Sequence, residues 1–175
     1  MSARTLAAML IAAGSISLAP GSPANAQLPS PTPLPTPNPT VVTTRATGTF
    51  EVKLNPLAPY ETAEAALLGR LSIDKQFHGD LEGTSKGEML TAGSSVKGSA
   101  GYVAIEHVTG TLQGRSGRFS LQHFGTMTRG APHLVITIVP DSGTGQLEGI
   151  AGTIHIDISG GKHSYTLEYT LPGAP

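Results

Sequence analysis

The sequence predicts an all-β protein, a small antiparallel meander β-barrel of about eight strands. Apolar residues recur at every second position along residues 45–172, glycine-rich turns separate the alternating runs, and three of these turns share one pattern. A period of two places successive side chains on opposite faces of a strand. Because closing a sheet on itself removes its exposed edges, we expect a barrel and not a sandwich.

Residues 1–26 have the pattern of a signal peptide. Arg4 precedes an apolar run over residues 6–18, and Ala24 and Ala26 place small side chains where a signal peptidase reads them. We expect cleavage between Ala26 and Gln27 and a periplasmic or secreted protein. The run is short and rich in Ala, Gly and Ser, so we expect no membrane span.

Residues 27–44 are predicted to be a disordered, proline-rich linker. Proline occupies every second position from 29 to 39. Proline lacks a backbone donor and fixes φ, so this stretch is expected to form an extended, solvated spacer. It acts as a passive tether in the simplest interpretation and as a site for a proline-recognising partner in the alternative one.

Composition excludes several classes of function. Without the leader the chain has 10 basic and 12 acidic residues, a net charge of −2, and the basic residues are scattered. Neutralising several phosphates requires a cluster of Lys and Arg, so we expect no nucleic-acid partner. The absence of cysteine excludes disulfides, thiol catalysis and cysteine-bound zinc. A domain of about 125 residues buries roughly two-thirds of its chain surface, which suffices for a core without such cross-links.

The predicted strands follow one another with one interruption. Residues 60–68, rich in Ala, Glu and Leu, are predicted to form a short helix that ends at Gly69. The alternating runs are Phe50-Val52-Leu54, Leu71-Ile73, Phe119-Leu121, Leu134-Ile136-Ile138, Ile154-Ile156-Ile158 and Tyr165-Leu167-Tyr169-Leu171.

The shared turn pattern is Gly-x-Leu-x-Gly, at residues 79–83, 110–114 and 145–149. Glycine accepts the positive φ of tight hairpins, and the central leucine can close the end of the barrel beneath the turn. Three similar corners predict a meander.

Six stretches of the domain share a pattern seen elsewhere: residues 77–85, 101–106, 110–112, 121–123, 140–149 and 163–169. In these stretches the domain resembles a known bacterial family, domain of unknown function 3224. The resemblance covers about residues 47–172 and implies a small barrel similar to the allene oxide cyclase fold, without a settled activity. This chain departs from the family pattern at residues 60–68, which are longer and richer in alanine.

The central hairpin supplies the candidate site. If strands 101–112 and 117–127 close around Gly114 and Arg115, Glu106 lies opposite His123 on a mostly apolar face. A carboxylate and an imidazole among apolar neighbours form a poised acid–base pair, or else a hydrogen-bonded pair that fixes the strand register. Leu121 then lies opposite Val108, and Met127 lies opposite Tyr102, whose hydroxyl joins the same wall.

A second polar set is not expected to converge. His155 and Asp157 share one face of their strand, whereas pairing across Gly160 and Gly161 places His163 and Tyr165 on the face of Ile158 and Ile156. The pairs His78–Asp80 and His155–Asp157 offer two ligands each, and a metal site needs three or four. We therefore expect no metal and no cofactor.

The leading functional hypothesis is an exported barrel that binds a small apolar or amphipathic ligand. The small inward residues Ala104 and Gly125 would leave room for it. One alternative is an enzyme of the hydrolase or isomerase/cyclase type, in which Glu106 and His123 are the catalytic acid and base. The other is a filled barrel with a structural or interaction role. The sequence leaves the oligomeric state open, and the ligand-binding residues it suggests are Tyr102, Glu106, His123, Leu121 and Met127.

Overall fold

The computed structural model describes residues 42–62 and 67–172. The predicted signal peptide, nearly all of the predicted linker and the centre of the predicted helix, residues 63–66, lie outside this range. Within it every regular element is a β-strand. Leu68, the predicted last residue of the helix, is instead the first residue of a strand, because it pairs with Ala92.

Eight strands close into one antiparallel barrel, as the sequence predicted. Each barrel strand pairs with the next along the chain, and the last pairs with the first. A ninth strand of two residues, β7, pairs with β5. The strands are β1 (Thr44–Leu57), β2 (Leu68–Gly79), β3 (Leu81–Gly93), β4 (Ala100–Leu112), β5 (Arg115–Thr128), β6 (Ala131–Ile138), β7 (Thr144–Gly145), β8 (Ala151–Ser159) and β9 (Lys162–Thr170).

The repeated pattern buries its central leucine at all three places, but it forms a hairpin at only two: residues 145–149 connect β7, which pairs with β5, to β8, which pairs with β6 and β9. Leu81, Leu112 and Leu147, the central leucines, are each 0% exposed. Between β4 and β5 the turn consists of Gln113 and Gly114, with φ of 45° and 83°. Positive φ at both central residues defines a type I′ turn, whose twist matches that of the strands it joins. The prediction centred this turn one residue too late.

One half of the barrel interior is filled. The filled half lies toward the turns at Asp80 and Gln113, and large side chains from nearly every strand meet there. Three of the four phenylalanines and two of the four tyrosines belong to it. Its buried members are Ala46, Phe50, Phe77, Leu81, Val108, Leu112, Phe119, Leu121, Ile136, Ile138, Leu147, Ile150, Ile154, Tyr165, Leu167 and Tyr169.

The opposite half, here called the open half, has inward-facing apolar side chains that remain exposed. Residues directly opposite in an antiparallel pair share a face. Leu54 pairs with the buried Ile73, and Leu134 pairs with the buried Gly125, so both face inward. The inward positions at this end are nevertheless exposed, with Leu54 at 46%, Met127 at 43%, Leu134 at 41% and Ile158 at 65%. These side chains therefore stay in contact with solvent, and two of them, Leu134 and Ile158, lie on β6 and β8, which pair only at Thr137 and Thr153.

Candidate functional site

Glu106 lies at the boundary between the two halves, with its side chain fully buried at 0% exposure. It points inward from the middle of β4, between Ala104 and Val108 on the same face. A carboxylate removed from water is unstable unless cations or hydrogen-bond donors surround it. Three side chains from three other strands supply this environment.

Lys75 of β2 forms an ion pair with Glu106. Its Nζ donates a hydrogen bond to Oε1 at 2.5 Å, and the lysine is only 8% exposed. The ammonium also lies 5.0 Å from the ring centroid of Phe50 and 5.9 Å from that of Phe77. Aromatic faces attract a cation, so these rings supplement the carboxylate in stabilising the buried charge.

Ser85 of β3 completes the coordination of the carboxylate. Its Oγ donates to Glu106 Oε2 at 2.5 Å and is buried. Sequence reasoning missed both Ser85 and Lys75. The signal for Lys75 was present, because the lysine occupies an inward position in the alternation Leu71, Ile73, Lys75 and Phe77, where water cannot reach it.

His123 of β5 contacts the same carboxylate, although the register between β4 and β5 differs from the predicted one. The structure pairs His123 with Ala104 and Glu106 with Leu121, a shift of two residues that follows from the misplaced turn. A shift of two preserves the faces. Nε2 of His123 consequently still lies 2.7 Å from Glu106 Oε1, diagonally across the hairpin.

The contact is close but poorly aligned. His123 is 3% exposed, and its Nε2 has no well-directed hydrogen bond in the part of the chain that the structure describes. The imidazole ring therefore touches the carboxylate without directing its N–H along a hydrogen bond to it. Buried polar atoms of this kind are uncommon, and they are found at sites that bind water or a ligand.

These contacts fix the charge of Glu106. Burial by itself raises the pKa of the carboxyl, but the contact with His123, the charge of Lys75 and the hydrogen bonds from Lys75 and Ser85 outweigh it. Together they lower the pKa of Glu106 from 4.5 to about 2. At neutral pH the cluster therefore holds a carboxylate.

Tyr102 stands beside this cluster on the side of the open half. Its ring centroid lies 6.4 Å from that of His123. Burial, and then the negative charge of Glu106, raise the pKa of the Tyr102 hydroxyl, which therefore remains a neutral donor at physiological pH. The ring lies over Gly125, where a Cβ would overlap its edge, so the small residue makes room for the tyrosine.

The remaining predicted site residues lie on the inward face but in different halves. Leu121 is 1% exposed within the filled half, whereas Met127 is 43% exposed in the open half. The second polar set behaves as predicted, since Ile156 pairs with Tyr165 and Ile158 pairs with His163. Within residues 42–62 and 67–172, no three His, Cys, Asp or Glu side chains are grouped so as to hold a metal ion. None of the elements described there is a helix long and apolar enough to cross a membrane.

The fold and site thus define a small antiparallel β-barrel with a buried lysine–glutamate–histidine cluster between its filled and open halves. The chain belongs to the family described as protein of unknown function (DUF3224), whose sequence profile matches residues 46–169. The family resemblance of the sequence is thereby confirmed.

A solved structure supports the same assignment. It is the 1.84 Å crystal structure of a protein with unknown function from the DUF3224 family of Shewanella oneidensis MR-1. That chain is 50% identical, and the match covers 76% of the present chain and 100% of that one, with a TM-score of 0.72. No curated protein matches. Neither comparison tests the likeness to the allene oxide cyclase barrel, which stays a prediction.

Proposed function

We propose that the open half of the barrel binds a small apolar or amphipathic molecule, which enters past the exposed inward side chains and rests on the polar floor. The observation that carries the proposal is the exposure of Leu54, Met127, Leu134 and Ile158, at 41–65%, on the inward face of a closed barrel. Inward positions normally form the core, and an eight-stranded barrel has room for one small ligand when its side chains do not fill it. Export predicted from the leader would place this binding outside the cytoplasm.

The floor explains why an amphipathic ligand would fit. Tyr102 is half-buried and offers a neutral hydroxyl, and His123 has a buried Nε2 without a well-aligned partner. The Tyr102 hydroxyl can donate to or accept from a polar group at the inner end of the molecule, and the ring of His123 lies beside it. Glu106 is fully buried, so its proposed role as an anchor is indirect: it holds His123 and Lys75 in place. Leu121 supports this floor from the filled half, and Met127 contributes to the apolar wall.

The same geometry weakens the enzymatic alternative. A general base works best when its pKa lies near the operating pH. The pKa of Glu106 is about 2, and its carboxylate accepts hydrogen bonds from Lys75 and Ser85 and contacts His123. Removing a proton from a substrate would require Glu106 to give up these contacts, so the arrangement favours binding over acid–base catalysis.

Titration with an uncharged fluorescent probe, N-phenyl-1-naphthylamine, tests the proposal. We expect the probe to brighten on binding, and Met127→Lys and Ile158→Lys to weaken its affinity at least about tenfold, because each introduces a charge into an apolar wall. The matched control is Val42→Lys. Val42 is 47% exposed and precedes β1 at the filled end of the barrel, so its substitution should leave the affinity unchanged.

A further variant tests whether the probe binds in the open half or on the outer surface. Val103 is 51% exposed and faces outward from β4. If Val103→Lys abolishes probe binding while Met127→Lys does not, the site lies outside the barrel and the proposal is wrong. Native mass spectrometry of protein purified from its own host should show a bound small molecule. The variant Glu106→Gln separates binding from catalysis, because in an enzyme it would reduce turnover far more than ligand retention.

A further inference from the structure

The outer surface of the barrel has two unlike sides. Every outward-facing residue is polar from Arg45 to Asn55 in β1, from Thr153 to Ser159 in β8 and from Lys162 to Thr170 in β9. The outward positions of β2 to β6 instead include six large apolar residues, here called the outer stripe. They are Leu68 (48% exposed), Leu90 (55%), Val103 (51%), Ile105 (52%), Phe124 (49%) and Val135 (41%).

The outer stripe is continuous. Leu90 pairs with Val103, Val103 with Phe124, and Phe124 with Val135, so four adjacent strands each contribute one member directly beside the next. With neighbouring strands about 4.8 Å apart, this row spans about 15 Å. Ile105 lies two residues from Val103 on the same strand and widens it.

A groove and a projecting ring lie together on this side. Residues 59–61 border a groove of about 750 Å³ whose lining includes Leu90, Val103, Ile105 and Phe124. Tyr60, in the same segment, is fully exposed. A two-fold interface uses the same patch of both subunits, so the patch must be complementary to itself. A bare aromatic ring beside an open apolar groove meets that requirement.

Size and charge also suit a second copy. The stripe exposes on the order of 500 Å² of apolar surface, within the range of about 300–600 Å² at which a patch on a monomer is often functional. Two such stripes supply on the order of 1,000 Å² of apolar surface, most of what a specific interface of roughly 1,200–2,000 Å² requires. The charged pair bordering the stripe, Arg70 and Glu88, is joined at 2.6 Å and is neutral as a pair, so it does not repel its copy.

The closed barrel narrows the choice of partner. β2 to β5, which carry five of the six residues of the outer stripe, are paired on both sides, so an extended peptide cannot add to an edge among them. We therefore propose that the protein forms a two-fold homodimer through the outer stripe, with Tyr60 of each subunit seated in the groove of the other. This inference is independent of the ligand proposed for the open half.

Sedimentation equilibrium of the purified protein tests the dimer. We expect twice the chain mass at micromolar concentration, and Val103→Glu and Phe124→Lys to weaken association at least about 100-fold, since charges would be buried at the centre of the interface. Tyr60→Ala should weaken it about tenfold. Thr49→Glu, on the polar side, is the matched control and should leave the dimer intact.

A labelling experiment gives a second measurement that does not disrupt the surface. The chain has no cysteine, so Val103→Cys carries a single thiol. Its reaction with a maleimide should slow about tenfold or more as the protein concentration rises and the dimer forms, whereas Thr49→Cys should react at one rate throughout. A wild-type mass of one chain at about 100 μM, far above a nanomolar-to-micromolar dissociation constant, or a Val103→Cys rate independent of concentration, would overturn the proposal.

Discussion

The two halves of the barrel interior share one alternation of inward and outward residues but differ in the size of the inward side chains. The filled half contains Phe50, Phe77, Phe119, Tyr165 and Tyr169. The open half has Tyr102, glycine and mostly aliphatic residues at the corresponding positions, and several of the aliphatic side chains stay partly exposed. The same alternation therefore runs through both halves, while side-chain volume decides how completely each one is buried. The charged cluster lies where the volume changes.

Truncating one large inward residue in each half should give the largest contrast. Phe119 is 0% exposed, and Phe119→Ala should destabilise the protein by about 3–5 kcal/mol, because the transfer energy is lost and a cavity remains. Met127→Ala in the open half should cost no more than about 1 kcal/mol, since its side chain is already partly in water. Urea denaturation measures both. Equal losses would contradict the distinction between the halves.

The boundary cluster should behave as a coupled unit. Lys75→Met should destabilise by about 3–5 kcal/mol, because it leaves the buried carboxylate of Glu106 with one fewer cation. The double variant Lys75→Met/Glu106→Gln removes both charges and should regain most of this loss. A double-mutant cycle from urea unfolding gives the coupling. Additive effects would show that the pair does not interact.

Acid should weaken the fold through Glu106. Its folded-state pKa of about 2 lies below its ordinary value of 4.5. The carboxylate therefore stabilises the fold above pH 4.5, and this contribution, about 3 kcal/mol, is lost as the pH falls from 4.5 toward 2. Above pH 4.5 the wild type should be more stable than Glu106→Gln, and the difference between their unfolding free energies should shrink as the pH falls toward 2. Glu88→Gln, in an exposed ion pair, is the control and should leave the pH dependence almost unchanged.

The smallest expected coupling in unfolding free energy is between Gly125 and Tyr102 in the open half. Gly125→Ala places a Cβ against the ring of Tyr102 and should destabilise by about 1–2 kcal/mol through overpacking. The loss should disappear in the background Tyr102→Ala, where the ring is absent. Thermal unfolding of the four proteins measures this coupling. A loss that persists without the ring would assign the role of Gly125 to its backbone.

Much of this architecture was predictable because its signals are local. The alternation predicted the strands, and the burial of Leu81, Leu112 and Leu147 confirms the predicted role of the central leucine in the repeated pattern. The shared face of Glu106 and His123 was also predictable, because an even error in register leaves every side chain on its own face. The register itself was off by two, since the sequence alone did not distinguish a turn at Gln113–Gly114 from one a residue later.

The sequence by itself determined the period of the strands, the approximate places where they turn and the inward face of its apolar runs, because these depend on neighbours a few positions apart. Only the tertiary structure decided which inward residues meet. Lys75, Ser85, Glu106 and His123 come from four different strands, and they converge because closure of the barrel brings β2 to β5 side by side in one register. That register joins residues 31 positions apart in the chain, as between Lys75 and Glu106. Such contacts follow from the closed sheet as a whole and from no local pattern.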